Sequence, residues 1–320
     1  MSNNHFLFKS VFASQLVKMI DEKKICGETR ISCYFKALDQ FFVENNVRKP
    51  ILSRRIVELW CKRRESESPR TLGERISAIR VFANFLIRQG KTAYYYPKHS
   101  SPRIHGTYIP YIYSHREIAT LFKAADELKQ SSNSWYFAYF PVVVRLFYST
   151  GLRRSEVNNL LWRDVDLKKG VLTIRQGKFR KDRFVPLSGQ MAKLLRKYAK
   201  SCDYQLDIPV FPSPQGTRCH ESIFTAYFRR VLNQAGIQHG GRGKGPRLHD
   251  LRHTFAVHNL EKWLKSGEDI QAKLPILADY LGHDSLRGTQ KYLRLTPSIF
   301  PEIALRMENS IGKLIRNPKK

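Results

Sequence analysis

Residues 248–255 read LHDLRHTF and begin a helix that we predict to run from about Leu248 to Lys265. Within it, His249 and Arg252 are three positions apart, so their side chains share one face of the helix. A guanidinium fork and an ionisable ring that converge on one point suit a phosphate oxyanion. His and Arg also occur at this spacing by chance, so the pair alone does not establish a function.

The charge of the chain indicates a polyanionic partner. There are 56 Lys and Arg residues against 27 Asp and Glu, which gives a formal net charge of +29. A folded protein with this imbalance repels itself unless a polyanion offsets the charge, and nucleic acid is the usual one. The alternative is a generally basic surface without a specific partner.

Other classes of protein fit the sequence poorly. No apolar run reaches the roughly 18 residues of a membrane span, and the N-terminal residues do not resemble a secretion signal. The five cysteines, Cys26, Cys33, Cys61, Cys202 and Cys219, form no CxxC pair. We therefore expect neither a disulfide framework nor a zinc site, and a cytoplasmic, nucleoid-associated location.

A chain of 320 residues is comfortable for two domains. We predict a small helical domain over 1–98. Its four helices are expected at 10–24, at 30–46, from Ser53, and from Thr71 to about Gly90. Thr71 and Glu74 form a possible capping box for the fourth helix, and Gly90 suits its C-terminal end.

Residues 99–113 are predicted to be a linker, because prolines and a glycine interrupt any helical period there. Its basic and aromatic residues either follow a nucleic-acid backbone or form an ordinary surface connection. Ser114 and Glu117 form a second capping box, which opens a larger domain over 114–320.

The larger domain is predicted to be mainly α with a small antiparallel β-sheet. Strands at 171–174 and 183–187 flank the basic turn QGKFRKD, residues 176–182. Helices are expected at about 137–149, 153–161, 189–200, 221–235, 248–265, 274–282, 286–294 and 299–316. The last one is amphipathic and either packs on its own domain or docks on a neighbouring protomer.

Three further segments carry residues suited to phosphate chemistry. Residues 150–156, TGLRRSE, place Arg153 at a helix start after a bend at Gly151, with Glu156 positioned to hold an arginine or cap the turn. The basic turn offers Lys178 either to a DNA groove or to solvent. Residues 281–283 read LGH, and Tyr292 follows nine residues after His283.

The order and spacing of these four motifs resemble the tyrosine recombinase family, which includes phage integrases and Xer-like proteins. The resemblance covers essentially all of 114–296. It implies a tyrosine recombinase catalytic domain, preceded by a helical core-binding domain, in a two-domain DNA clamp. It also implies a site-specific recombinase that joins DNA to the enzyme through a 3′-phosphotyrosyl link, without metal, ATP or another cofactor.

The resemblance assigns a role to each motif. The implied catalytic residues are Arg153, Lys178, His249, Arg252, His283 and the nucleophile Tyr292, with Glu156 as a supporting acid. His249 is the expected proton acceptor near Tyr292. Phe179 and Arg154 depart from the usual pattern, which leaves Lys181 as an alternative to Lys178 and Arg154 as an alternative to Arg153.

The same resemblance implies partners and a biological role. Double-stranded DNA is the expected substrate, contacted by Arg54, Arg55, Arg63, Arg70, Lys181, Arg242 and Lys244. A tetramer on two DNA sites is expected, and the C-terminal tail is the candidate contact between its protomers. Accessory DNA-bending proteins or partner recombinases are further expected partners. Element integration, excision or transposition fits the sequence after Tyr292 best, with chromosome dimer resolution left open.

Three other functions compete with this prediction. A DNA-binding protein that has lost catalysis is disfavoured, because every expected catalytic residue type is present. A type IB topoisomerase or telomere resolvase uses similar chemistry and is not separated by sequence. A metal-dependent nuclease is the most distant, since no acidic cluster suited to Mg²⁺ is evident.

Overall fold

The computed structural model describes residues 8–25, 32–97, 109–131, 134–175, 182–202, 205–241, 245–283 and 285–293. The chain forms two compact units, residues 1–108 and 109–320. The predicted tail helix at 299–316 and most of the predicted linker lie outside the described residues. None of the helices in the described ranges has the length and apolar character needed to cross a bilayer.

The first unit contains the four predicted helices. They are α1 (Ala13–Ile25), α2 (Ser32–Glu44), α3 (Arg54–Cys61) and α4 (Pro69–Arg88). Their apolar faces meet in one core, in which the ring of Phe12 lies 4.8 Å from that of Phe42 and 5.3 Å from that of Phe82. The amphipathic period therefore predicted the helices correctly, to within a few residues at their ends.

The start of α4 differs from the prediction. Ser68 is the N-cap, its hydroxyl accepts a hydrogen bond from the Thr71 amide, and Pro69 occupies the first turn. Glu74 instead binds the side chains of Arg70 and Tyr34. The predicted capping box of Thr71 and Glu74 was therefore wrong, because a serine three residues earlier already satisfies the amide.

The second unit begins at Ile109, so the last five residues of the predicted linker belong to it. Tyr113 is fully buried there, and its backbone amide donates to the Thr254 hydroxyl. The predicted capping box is confirmed, because the amide of Ser114 binds the Glu117 carboxylate and the amide of Glu117 binds the Ser114 hydroxyl. The linker-like composition of this segment gave no sign that Tyr113 is buried in the second unit.

Eight α-helices, two short 3-10 helices (Trp135–Ala138 and Trp162–Asp164) and three strands follow in the described part of the second unit. The α-helices are α5 (His115–Ser131), α6 (Phe140–Thr150), α7 (Arg154–Asn159), α8 (Gly189–Ala199), α9 (Glu221–Gln234), α10 (Asp250–Lys265), α11 (Ile270–Leu281) and α12 (Leu286–Gln290). The strands are β1 (Val165–Asp166), β2 (Val171–Ile174) and β3 (Arg183–Pro186). The prediction of a mainly α domain with a small antiparallel sheet is confirmed.

The sheet has the order β1-β2-β3 and is antiparallel throughout. Leu172 faces Val165 on one side and Val185 on the other, and all three side chains are buried. β1 was not predicted, because two residues are too few to show an alternating pattern. The register of β2 and β3 brings Arg183 to the end of the sheet that faces α11.

Arg75 provides the polar anchor of the first unit. Its guanidinium pairs with the Glu67 carboxylate at 2.6 Å, and the two side chains are only 4% and 5% exposed. It also donates to the carbonyls of Trp60 and Lys62. This pair fixes the loop between α3 and α4, which carries Arg63, one of the arginines expected to contact DNA.

We expect the Arg75→Met substitution to destabilise the first unit by about 3–5 kcal/mol, because it leaves the Glu67 carboxylate buried without its partner. Urea-dependent hydrogen exchange of peptides from 32–97 in the full chain measures the effect. The matched control is Arg88→Met, since Arg88 pairs with Glu22 at the surface with 72% of its side chain exposed. It should cost less than about 1 kcal/mol. Equal effects of the two substitutions would contradict this account.

Candidate active site

The site is built at the start of α10, where Arg252 is almost completely buried at 2% exposure. Its guanidinium donates to the backbone carbonyl of Gly151 at 2.6 Å and to that of Leu281 at 2.7 Å. These carbonyls belong to residues 101 and 29 positions away in the chain. One buried cation therefore holds the ends of α6 and α11 against α10.

His249 precedes α10 as its N-cap residue and is exposed. The sequence predicted a helix start at about Leu248, whereas α10 begins at Asp250, although the backbone dihedrals of His249 are still helical at φ −66° and ψ −21°. Its ring lies 5.0 Å from the ring of His253, nearly perpendicular to it. His249 and Arg252 thus remain close together.

Arg153 is the N-cap residue of α7 and follows a left-handed Gly151 with φ +58°. A Cβ at Gly151 would lie 2.7 Å from a Phe255 ring carbon, so this corner requires glycine in both conformation and space. The guanidinium of Arg153 donates to the Gly282 carbonyl and to Glu156, at 2.8 Å for the latter. The alternative, Arg154, instead donates to the Thr225 hydroxyl on α9.

Glu156 both caps the turn and binds arginines, the two uses that the sequence suggested. Its carboxylate accepts from the Arg153 amide at 2.8 Å and pairs with the guanidinium groups of Arg153 and Arg183. These contacts, the Arg183 hydrogen bond foremost, outweigh burial and lower the pKa of Glu156 to about 2. Its negative charge is therefore permanent near neutral pH.

Arg183 is a site residue that sequence reasoning missed. Both of its terminal nitrogens bind Glu156, and its Nε donates to the Tyr280 carbonyl at 3.0 Å. A Cβ at Gly282, which has φ +67°, would lie 2.9 Å from an Arg183 terminal nitrogen, so the glycine permits this close approach. In the sequence, the signal for Arg183 was its position as the first residue of the predicted strand after the basic turn.

Tyr292 lies at the centre of the cluster and is fully buried. Its phenolic oxygen is 3.2 Å from Nδ1 of His253, a residue that the sequence analysis did not assign. Burial raises the pKa of Tyr292, and the guanidinium groups of Arg252 and Arg153 oppose that shift, Arg252 through a hydrogen bond as well as charge. The phenol is thus in contact with both a cation and an imidazole.

His283 follows Gly282, the residue that caps the C-terminal end of α11. One of its ring nitrogens, Nδ1, is hydrogen-bonded to the Thr289 hydroxyl at 2.7 Å. Its ring also stacks on that of Tyr292, with centroids 6.1 Å apart and an angle of 26°. These contacts leave Nε2 as the ring nitrogen directed away from Thr289.

The imidazoles of the site are poor proton acceptors in the DNA-free protein. Burial, followed by neighbouring positive groups, lowers the pKa of both His253 and His283 to about 3. Although much of the residue is exposed, partial loss of water around its ring, followed by the charge of Arg252, lowers the pKa of His249 to about 4. For Arg252 itself, burial lowers the pKa to about 10, so the group stays charged near neutrality.

The structure does not place every predicted site residue. Those outside the described residues are Lys178, Lys181, Arg242 and Lys244. Those on the exposed surface of the first unit, in or near α3 and α4, are Arg54, Arg55, Arg63 and Arg70. Five of the six predicted catalytic side chains are described, and they share one network of contacts with Glu156, Arg183 and His253.

Comparison with known proteins gives this arrangement a family. The phage integrase family model matches residues 112–298, more than half of the chain. A Sinorhizobium fredii protein described as integrase/recombinase y4rB is 32% identical over 270 residues, 81% of this chain and 85% of that protein. Tyrosine recombinase XerA of Pyrococcus furiosus is 34% identical over 174 residues, 53% of this chain and 56% of that protein.

Solved structures agree on the fold. The XerH site-specific recombinase, in a post-cleavage complex with a palindromic difH substrate, matches with a TM-score of 0.63. The match has 19% sequence identity and covers 95% of this chain and 90% of that one. The chain therefore belongs to the phage integrase family, the tyrosine recombinases, whose members break and rejoin DNA strands at specific sites.

Proposed function

We propose that this recombinase cleaves DNA with Tyr292 as the nucleophile. The single observation that carries the proposal is the contact of the Tyr292 phenol with Arg252 and His253 in one buried cluster. Attack of the phenolic oxygen on the scissile phosphate forms a 3′-phosphotyrosyl link and releases a 5′ hydroxyl. The link keeps the phosphodiester energy, so a second 5′ hydroxyl reverses the step without ATP or metal.

Arg153 and Arg252 are proposed to bind the non-bridging oxygens of the phosphate. Both are held by backbone carbonyls, Gly282 for Arg153 and Gly151 with Leu281 for Arg252, and these bonds keep the two groups near each other. Donors aimed at developing negative charge contribute about 3–4 kcal/mol each to the transition state. Glu156 acts through Arg153 and Arg183 as a positioning residue.

His283 is proposed to donate a hydrogen bond to the same phosphate, whereas the sequence assigned His249 a different role, acceptance of the Tyr292 proton. A neutral imidazole donates from one nitrogen while the other accepts, and the Thr289 hydroxyl satisfies Nδ1 of His283. A bound phosphate brings negative charge to these rings, which favours their protonated forms. Binding of DNA should therefore raise the pKa values that are low in the free protein.

Lys178 is proposed to protonate the departing 5′ oxygen, as the resemblance implies. Lys181 remains the alternative donor in the same basic turn. The turn connects β2 to β3, and Arg183, the first residue of β3, binds Glu156. This connection supports placing the turn near the phosphate when DNA is bound.

The exposed arginines of the first unit are proposed to bind the DNA backbone. Arg54, Arg55, Arg63 and Arg70 lie at the starts of α3 and α4 and in the loop between these helices. Arg54 and Arg70 each pair with a glutamate one helical turn away, and exposed pairs of this kind exchange readily for phosphate. Lys181, Arg242 and Lys244 are proposed to add to this surface.

The assembly that exchanges strands is proposed to be a tetramer on two DNA sites. Strand exchange requires four cleavages, and each active site supplies one tyrosine. The tail at 299–316 is proposed to dock on a neighbouring protomer, with accessory DNA-bending or partner recombinase proteins assisting. Integration, excision or transposition of a mobile element is the proposed role, carried out in the cytoplasm at the nucleoid.

We expect Tyr292→Phe to abolish the covalent protein–DNA adduct on a nicked site, because phenylalanine has no nucleophilic oxygen. Binding of the same DNA should be unchanged, since the side chain is buried and its size is kept. Denaturing gel electrophoresis detects the adduct. The matched control, Tyr280→Phe, loses only a hydroxyl that donates to the Pro186 carbonyl and should retain adduct formation. An adduct formed by Tyr292→Phe would reject this nucleophile.

Lys178→Ala should slow single-turnover cleavage by about 10²–10⁴-fold, the usual contribution of a general acid. A substrate with sulfur in place of the bridging 5′ oxygen should restore the rate, because a thiolate leaves without being protonated. Lys168→Ala, in the exposed turn between β1 and β2, is the control and should cleave both substrates normally. If the sulfur substrate rescues Lys181→Ala and not Lys178→Ala, Lys181 is the general acid.

The lowered pKa values of His253 and His283 predict a loss of stability in acid. Unfolding returns both groups to a pKa near 6.5, so below about pH 6.5 the unfolded state binds protons that the folded state does not. The free energy of unfolding should therefore decrease as the pH falls from 7 towards 4. Histidine proton resonances measure the cause directly. Midpoints near pH 6.5 for both rings in the DNA-free protein would contradict the prediction.

A further inference from the structure

His253 is the imidazole that contacts the proposed nucleophile, although the family resemblance assigns it no role. It follows Arg252 on α10 and is 6% exposed. Its Nδ1 lies 3.2 Å from the phenolic oxygen of Tyr292, and the two rings are 5.5 Å apart at an angle of 54°. His249, the expected proton acceptor, is exposed and contacts the ring of His253.

Two groups next to the phenolic oxygen of Tyr292 favour the loss of its proton. Burial raises the pKa of Tyr292, whereas the charge of Arg252 and a hydrogen bond from its side chain lower it and favour the phenolate. With the ring proton of the neutral His253 imidazole on Nε2, Nδ1 accepts the phenolic proton in its hydrogen bond with Tyr292. The low pKa of His253, about 3, keeps the ring neutral near pH 7 in the DNA-free protein, so its Nδ1 can accept a hydrogen bond.

We infer that His253 is the general base that takes the proton of Tyr292 as the phenol attacks the phosphate. This inference rests on the proposed function of Tyr292. In the step, the Tyr292 O–H bond breaks and an oxygen–phosphorus bond forms, while the bond from phosphorus to the 5′ oxygen breaks. The phenolic proton moves to Nδ1 of His253, and Lys178 supplies the proton of the new 5′ hydroxyl.

The charges around His253 make its basicity depend on substrate. The groups that face it and disfavour its protonation are His249 and Arg252 on α10, Lys291 after α12 and His283 after α11. The incoming phosphate offsets these positive charges, so an imidazolium at His253 becomes favourable when DNA occupies the site. In the reverse reaction this imidazolium returns its proton to the tyrosine oxygen as the 5′ hydroxyl attacks.

Two substitutions separate proton transfer from packing. His253→Asn keeps an acceptor oxygen close to the position of Nδ1 but cannot take the proton, and His253→Leu removes both properties. We expect both to slow single-turnover cleavage of a nicked suicide substrate at pH 7 by about 100-fold or more. The matched control is His258→Asn, a half-buried histidine of the same helix that binds Tyr148, and it should cleave normally.

The dependence of the cleavage rate on the acidity of the nucleophile distinguishes a base from a residue that only packs. If His253 only packed against Tyr292, a more acidic phenol would not restore cleavage by the His253 variants. Incorporating a fluorinated tyrosine at position 292 lowers the pKa of the phenol, so a missing base should matter less. We expect this residue to restore cleavage by the His253 variants at least about tenfold while changing the wild-type rate little. Without the base, the rate should also rise with pH more steeply than in the wild type.

Each outcome decides the inference. Normal cleavage by both His253 variants would overturn it, as would slow cleavage that neither fluorinated tyrosine nor higher pH restores. If the matching variant His249→Asn is rescued by fluorinated tyrosine and the His253 variants are not, the base is His249. The proposed function fails separately, because its failure would appear as a wild-type enzyme that forms no adduct at Tyr292.

Discussion

The burial of the Arg252 guanidinium is the constraint on which the catalytic unit depends. A charge removed from water is costly unless hydrogen bonds satisfy it, and here two backbone carbonyls, those of Gly151 and Leu281, provide them. Both carbonyls lie at helix C-termini, where the helix dipole is negative. Three helix ends therefore converge because one cation needs partners that only these ends supply.

The neighbouring glycines make that convergence possible. Gly151 and Gly282 both adopt left-handed backbone conformations that end α6 and α11, and each lies against a side chain that a Cβ would displace. Arg153 uses the Gly282 carbonyl, and Glu156 joins Arg153 to Arg183. The two proposed phosphate-binding arginines are thus positioned by backbone and by one carboxylate before DNA arrives. Such preorganisation is what electrostatic catalysis requires.

Local pattern predicted much of this structure, and long-range contact decided the rest. The helices were predictable from their apolar period, and the capping box of Ser114 and Glu117 from its spacing, because these signals lie within a few residues. The capping box of Thr71 and Glu74 was wrong, since Ser68 satisfies the same amide. Arg183 and His253 were missed because their partners, Glu156 and Tyr292, lie 27 and 39 residues away. Family motifs point to residues that contact substrate and say little about those that hold them.

If the Arg252 network positions the nucleophile as proposed, Tyr292 is the residue that becomes linked to DNA. Protease digestion of the trapped covalent complex, followed by mass spectrometry, identifies the amino acid that carries the 3′ nucleotide. The account predicts the nucleotide on the peptide that contains Tyr292, linked through its phenolic oxygen. A nucleotide attached to any other tyrosine, or to a serine, would contradict it.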